Sequence, residues 1–158
     1  MISIGIGEYA VTDIKGESIV THSLGSCVAL IMHCPLTKCT AMAHVVLPEQ
    51  DRNNRRFMEK EAYFAADIVP KLIRYFTNRP YCSKNDLKVY LVGGAESGNT
   101  NDYFKIGERN VNKITGILDA YGLKYDCSEV LGRYSRTVEI YVDKGEVLIK
   151  KREMRIYI

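Results

Sequence analysis

The hydrophobic period changes partway along this chain, and that change limits the architecture more than any other feature. Ala65, Ile68, Val69, Leu72, Ile73 and Phe76 recur at spacings of three and four, which gathers them on one face of a helix. Before that stretch the pattern is different. Ser18 to Thr21, Val28 to Met32 and Thr40 to Leu47 are short apolar runs bounded by glycine and turn residues, and they read as strands. Pro35-Leu36-Thr37-Lys38 supplies a hairpin turn between the last two, and the polar stretch Glu49 to Arg56 is expected to be an exposed loop. Pro70 lies inside the helical pattern. Its ring removes a backbone hydrogen bond to Ala66, which predicts a kink or a restart.

Leu87 to Val92 is a compact apolar strand running into Gly93-Gly94-Ala95. A second helix is expected from about Glu108, with Val111, Ile114, Leu118 and Tyr121 on one face and Gly122 as its stop. Leu123 to Tyr125, Thr137 to Val142 and Glu146 to Lys151 read as further strands, the last two joined by Asp143-Lys144-Gly145. Each helix has a single apolar face, so each can cover only one sheet surface. The expected class is therefore α+β: a layered α/β sandwich of mostly antiparallel strands covered by two main helices. No repeat, low-complexity tract or linker divides the 158 residues, so one domain spanning 1–158 is expected.

The candidate chemistry lies among five cysteines and three histidines. The start Met1-Ile2-Ser3-Ile4-Gly5 lacks the basic and apolar regions of a signal peptide, and no run is apolar for long enough to span a bilayer. A cytoplasmic location is expected, where cysteines are thiols and the question is which one reacts. The net charge of +3 is mild, and Lys150-Lys151-Arg152 with Arg155 reads as a solvated strand edge. Without aromatic residues interleaved among those charges, nucleic acid is not an expected partner.

A hydrolytic cysteine needs a base within reach, a third group that orients the base, and backbone donors aimed at the oxyanion. In Thr21-His22-Ser23-Leu24-Gly25-Ser26-Cys27 the small residues Gly25 and Ser26 permit a tight bend between two strands, which would stand the Cys27 thiol at a cleft. His44 follows seventeen positions later on the neighbouring strand of the hairpin. Facing side chains on such strands have Cβ atoms roughly 5 Å apart. Thr21 ends the preceding strand and could hold the imidazole through its hydroxyl, whereas His22 alternates to the opposite face. The blander readings stay open at this level: Cys27 as a small core residue, His44 as a satisfied half-buried histidine, Thr21 as an ordinary strand threonine.

His33, Cys34, Cys39, His44 and Cys27 also crowd together, but the short C-x-x-C knuckle of structural zinc sites is missing. Cys82 and Cys127 stand alone in the sequence and read as structural or incidental. Gly93-Gly94 is not followed by the Lys-Ser/Thr of a phosphate loop, so a close backbone approach beside the cleft is the expected use. Glu108-Arg109-Asn110 is either a substrate contact or a surface first turn with a favourably placed acid.

Thr21 to Leu30, Ala41-Met42-Ala43-His44-Val45-Val46-Leu47-Pro48, Gly93-Gly94-Ala95 and Ile106-Gly107-Glu108-Arg109-Asn110 together closely resemble the CheD family of chemoreceptor glutamine deamidases. The likeness runs from Gly5-Ile6-Gly7-Glu8-Tyr9 to Lys150. The resemblance implies a layered α/β sandwich related to deamidating bacterial toxins. It also implies a cysteine hydrolase with Cys27 as nucleophile, His44 as general acid and base, and Thr21 orienting His44. Gly25, Ser26, Gly93 and Gly94 become candidates for the oxyanion or substrate contact. The implied substrates are glutamine side chains on the cytoplasmic helical bundles of chemoreceptors, a CheC-type phosphatase is an implied partner, and no cofactor or metal is required. A non-catalytic adaptor on the same fold, or receptor methyl-ester hydrolysis by the same thiol, are the rival readings. The sequence departs from the family pattern at Glu96-Ser97-Gly98-Asn99, at Val130-Leu131-Gly132-Arg133, and in the Arg- and Asn-rich loop after Pro48.

Overall fold

The computed structural model describes residues 1–51, 60–96 and 105–154. Expectations for the Arg- and Asn-rich part of the loop after Pro48, for Ser97-Gly98-Asn99 and for the end of the chain from Arg155 lie outside the described residues. In chain order the elements are β1 (Ile2–Ser3), β2 (Tyr9–Thr12), β3 (Ser18–Leu24), β4 (Val28–His33), β5 (Thr40–Val45), α1 (Ala65–Thr77), β6 (Lys88–Gly93), α2 (Ile106–Ala120), β7 (Asp126–Val130), β8 (Tyr134–Tyr141) and β9 (Val147–Glu153). The strands form two sheets, one of four in the order β1-β3-β8-β9 and one of five in the order β2-β5-β4-β6-β7. Most pairings are antiparallel; β1 with β3 and β6 with β7 are parallel.

The five-stranded sheet is the middle layer, and its position explains why β4 and β5 carry unbroken apolar runs. One face, with Val28, Leu30, Met32, Ala41, Ala43 and Val45, packs under the apolar stripes of α1 and α2. The other face, with Ala29, Ile31, Met42 and Val92, packs against Ile19, Leu24, Val138 and Ile140 of the four-stranded sheet. A strand buried on both sides has no solvent face on which to alternate polar residues. The layers therefore run sheet, sheet, helices, consistent with the expected layered α+β class.

The buried residues of α1 are Ala65, Ile68, Val69, Leu72, Ile73 and Phe76, the six that the spacing singled out. The helix runs through Pro70 without a restart, contrary to one of the two outcomes expected there. Gly122 follows the end of α2 with φ at +72°, the left-handed geometry that a helix stop of this type requires. The hairpin turn between β4 and β5 closes through Lys38 N–H to Cys34 O and Cys34 N–H to Cys39 O.

Other expectations need correction. Leu123 to Tyr125 is not a strand; β7 begins at Asp126 instead, because the apolar Leu123 is spent packing under α2 and the strand is a polar edge. Strands β1 and β2 are too short to show a period, and they exist through pairing with β3 and β5. Cys82 does not stand alone: it meets Cys34 sulfur to sulfur, with their Cα atoms 5.8 Å apart.

Candidate active site

The chain crosses from the four-stranded sheet to the five-stranded sheet through the bend Gly25-Ser26-Cys27, between β3 and β4. That crossing places Cys27 at the end of the interface between the sheets, half-buried. The β4–β5 register sets Ala29 opposite His44 and ends at Val28 opposite Val45. Cys27 therefore lies diagonal to His44, on the same face of the sheet, rather than directly across from it. Diagonal neighbours have α-carbons roughly 7–8 Å apart, close enough for a thiol and an imidazole to meet between the strands.

Thr21 comes from the other sheet. It is fully buried on β3, and its Oγ1 is 2.8 Å from Nδ1 of His44. A bulge after Thr21, with Ser23 at φ +54°, lets Leu24 turn inward while His22 and Ser23 both face out. His22 is thereby exposed and removed from the site, as its alternation from Thr21 suggested. The Thr21 hydroxyl donates its one proton to the carbonyl of Ile4, at 2.9 Å. It can then only accept from His44, so Nδ1 carries the ring proton and Nε2 keeps its lone pair. The N-terminal segment also holds the base by its backbone: His44 N–H donates to Glu8 O at 2.9 Å, and Gly7 N–H donates to His44 O at 3.0 Å.

The electrostatics are those of a neutral pair at rest. Burial pushes the His44 pKa from 6.5 down to about 4, with the Glu8 carboxylate opposing and Lys60 adding to the shift. Burial also pushes the Cys27 thiol up from its ordinary value. Both shifts disfavour charge in a site shielded from water.

The bend that carries Cys27 is held by its carbonyls. Gly94 N–H donates to Cys27 O and Ala95 N–H donates to Gly25 O, both at 2.9 Å, while the Asn110 side chain donates to Ser26 O at 3.0 Å. Among the described residues the N–H groups of Ser26 and Cys27 have no acceptor. Gly93 and Gly94 supply a close approach rather than open donors: a Cβ on Gly93 would lie 2.4 Å from Cys27 O, and the Gly94 N–H is already used. Gly93 O is in turn capped by Leu131 N–H and by the buried Arg136. Leu131 adopts φ +67°, a left-handed conformation that favours glycine.

Sequence reasoning missed the Ile4 carbonyl and the depth of Asn110. The first is a backbone atom and leaves no mark in residue types. Asn110 is fully buried on α2, so it is neither a surface residue nor a substrate contact. The crowding of histidine and cysteine dissolves in three dimensions, since His33 bonds Thr40 through Nδ1 and Cys34 meets Cys82. Among the described residues no three His, Cys, Asp or Glu side chains converge, and no helix there is long and apolar enough to cross a membrane.

Comparison with known proteins adds a family to this geometry. Residues 46–151 match the family described as CheD chemotactic sensory transduction. A probable chemoreceptor glutamine deamidase CheD of Syntrophotalea carbinolica is 38% identical over 91% of this chain and 90% of its own length. The chemoreceptor glutamine deamidase CheD of Thermotoga maritima is 34% identical over 94% of this chain and 90% of its own. A second probable member, from Anaeromyxobacter dehalogenans, is 33% identical over 95% of this chain and 94% of its own.

Proposed function

The chain belongs to the CheD family, and from that premise we propose that it hydrolyses glutamine side chains of chemoreceptors to glutamate, with Cys27 as nucleophile, His44 as general base and acid, and Thr21 as the orienting group. The observation that carries the reading is the chain of bonds from His44 Nδ1 through Thr21 Oγ1 to Ile4 O, which leaves Nε2 as the free basic atom. The Cys27 bend lies diagonal to that atom across the β4–β5 pair.

In the proposed reaction Nε2 takes the Sγ proton as sulfur attacks the side-chain amide carbon of the substrate glutamine. The negative charge that develops on the amide oxygen is held by the N–H groups of Cys27 and Ser26. The imidazolium returns its proton to the departing nitrogen, and ammonia leaves a thioester on Cys27. Water then gives a proton to Nε2 and attacks the thioester carbon. The C–S bond breaks, glutamate is released, and the thiolate recovers its proton from His44. No cofactor enters any step. The rise in the thiol pKa is offset at the moment of attack, when the nearby imidazolium stabilises the developing thiolate character.

A role in chemotactic adaptation, a cytoplasmic location and association with a CheC-type phosphatase go with this reading. The test is mass spectrometry of a receptor cytoplasmic fragment incubated with the protein and with Cys27→Ala. The expected result is the mass gain of glutamine-to-glutamate conversion with the wild-type chain alone. Binding of receptor without conversion would establish the adaptor instead, and methanol release from a methylated fragment would establish the esterase.

A further inference from the structure

We propose that Asn110 is a positioning residue that holds the nucleophile bend and the base strand in register, acting through two backbone carbonyls rather than on substrate. The proposal rests on the deamidase reading, which gives that register its importance. Asn110 is 0% exposed on α2. Its Nδ2 donates to Ser26 O at 3.0 Å and to Val46 O at 2.9 Å. Ser26 immediately precedes Cys27, and Val46 lies two residues beyond His44.

Those two carbonyls lie just where the sheet stops helping. The β4–β5 pairing ends at Val28 and Val45, so Cys27 projects one step past the last paired residues. Gly94 and Ala95 tie the bend to the β6 side, but no rung of the β4–β5 ladder joins it to the end of β5. The two N–H bonds of one planar amide replace the missing rung. The amide cannot be reversed, because Oδ1 would then face two carbonyl oxygens, acceptor against acceptor. In the orientation observed, Oδ1 is buried with no hydrogen-bond partner among the described residues. The side chain gives up one acceptor to satisfy two carbonyls that helix packing has taken from water.

Reach is set one turn earlier on α2. A Cβ on Gly107 would lie 2.4 Å from the carbonyl oxygens of both Gly94 and Ala95. Only a glycine there lets the helix approach closely enough for Asn110 to touch both strands. The Gly93-Gly94-Ala95 segment supports the same bend from its other side, so the helix, that segment and the nucleophile form one packed unit.

The test compares Asn110→Ala and Asn110→Ser with Leu118→Ala, a buried change on the same helix away from the site. Each variant is measured for kcat and KM, for thermal stability, and for the alkylation rate of Cys27 as a function of pH. The expected result for Asn110→Ala is a kcat lowered about tenfold or more with KM within about twofold, the signature of lost alignment rather than lost binding. Its Cys27 alkylation profile should move away from that of the wild type. Asn110→Ser keeps one donor and should fall between the two, and it serves as the folded variant if alanine is not tolerated. Leu118→Ala should lose stability while keeping the kcat and the alkylation profile of its folded fraction.

A folded Asn110→Ala or Asn110→Ser with wild-type kcat and wild-type alkylation would overturn the proposal. So would an equal loss of both in Leu118→Ala. The alkylation measurement needs no receptor, so a failure of the deamidase reading would show as absent turnover in the wild type while the role of Asn110 is still decided.

Discussion

Replacing Thr21 by valine removes one oxygen from the centre of the molecule and nearly nothing else. The β-branched shape is kept, so no cavity opens on the inner face of β3. Two buried groups lose their partner: the Nδ1–H of His44 and the carbonyl of Ile4. An unsatisfied buried group costs about 1–3 kcal/mol. The added methyl returns about 1 kcal/mol of apolar burial. The net expectation is a loss of stability of about 1–5 kcal/mol, read from urea unfolding. The kinetic effect follows from the tautomer. With no acceptor at Nδ1 the ring proton is free to sit on Nε2, and a bias worth about 1–3 kcal/mol corresponds to about a five- to 150-fold fall in kcat. Thr21→Ser keeps the hydroxyl and should recover most of the rate. The assay is the rate of glutamine conversion in a receptor fragment at a temperature where all three chains are folded. A folded Thr21→Val that deamidates within about twofold of the wild type would show that the Thr21 bond does not set the tautomer.

Other outcomes follow from the same geometry. The folded chain holds His44 at about 4, below its ordinary 6.5, so it binds fewer protons than the unfolded chain in that interval. The stabilisation is complete above pH 6.5 and is lost as pH falls toward 4, by about 3 kcal/mol in total. Burial lowers His33 in the same direction, so the His44 share is the difference in slope between the wild type and His44→Gln, and identical slopes would sink the assignment. Gly93→Ala places a side chain at φ +113° and a Cβ 2.4 Å from Cys27 O. It should cost about 2 kcal/mol or more and lower kcat by moving the nucleophile, as unfolding and turnover measured together will show. Leu72→Ala, on the inward face of α1, should cost about 2–5 kcal/mol with the activity of the folded fraction intact. Leu131→Gly relieves a left-handed leucine and should raise the unfolding free energy by about 1 kcal/mol.

Several parts of this molecule are legible in the sequence. The inward face of α1 was readable to the residue, because a helix writes its burial into a local spacing of three and four. The β4–β5 hairpin was readable too, since its turn and its two apolar runs are contiguous in the chain. That contiguity is why Cys27, at the head of one strand, could be brought beside His44 on the next from sequence alone. Strand β7 was misplaced for the converse reason: Asp126-Cys127-Ser128-Glu129-Val130 is a polar edge whose existence depends on its pairing with β6.

The local chain pattern singled out the candidate nucleophile and base and the pair of strands that brings them together. How that pair is held depends on the packing of separate layers. Thr21 reaches His44 across the gap between two sheets, and Ile4 orients Thr21 through a backbone carbonyl. Asn110 ties both strand ends from a helix more than sixty residues away in the chain. Contacts of that kind have no period and no fixed spacing, because they are set by how closely separate layers pack. Residue types near one another in the chain record the first kind of information; the second exists only once the layers have closed.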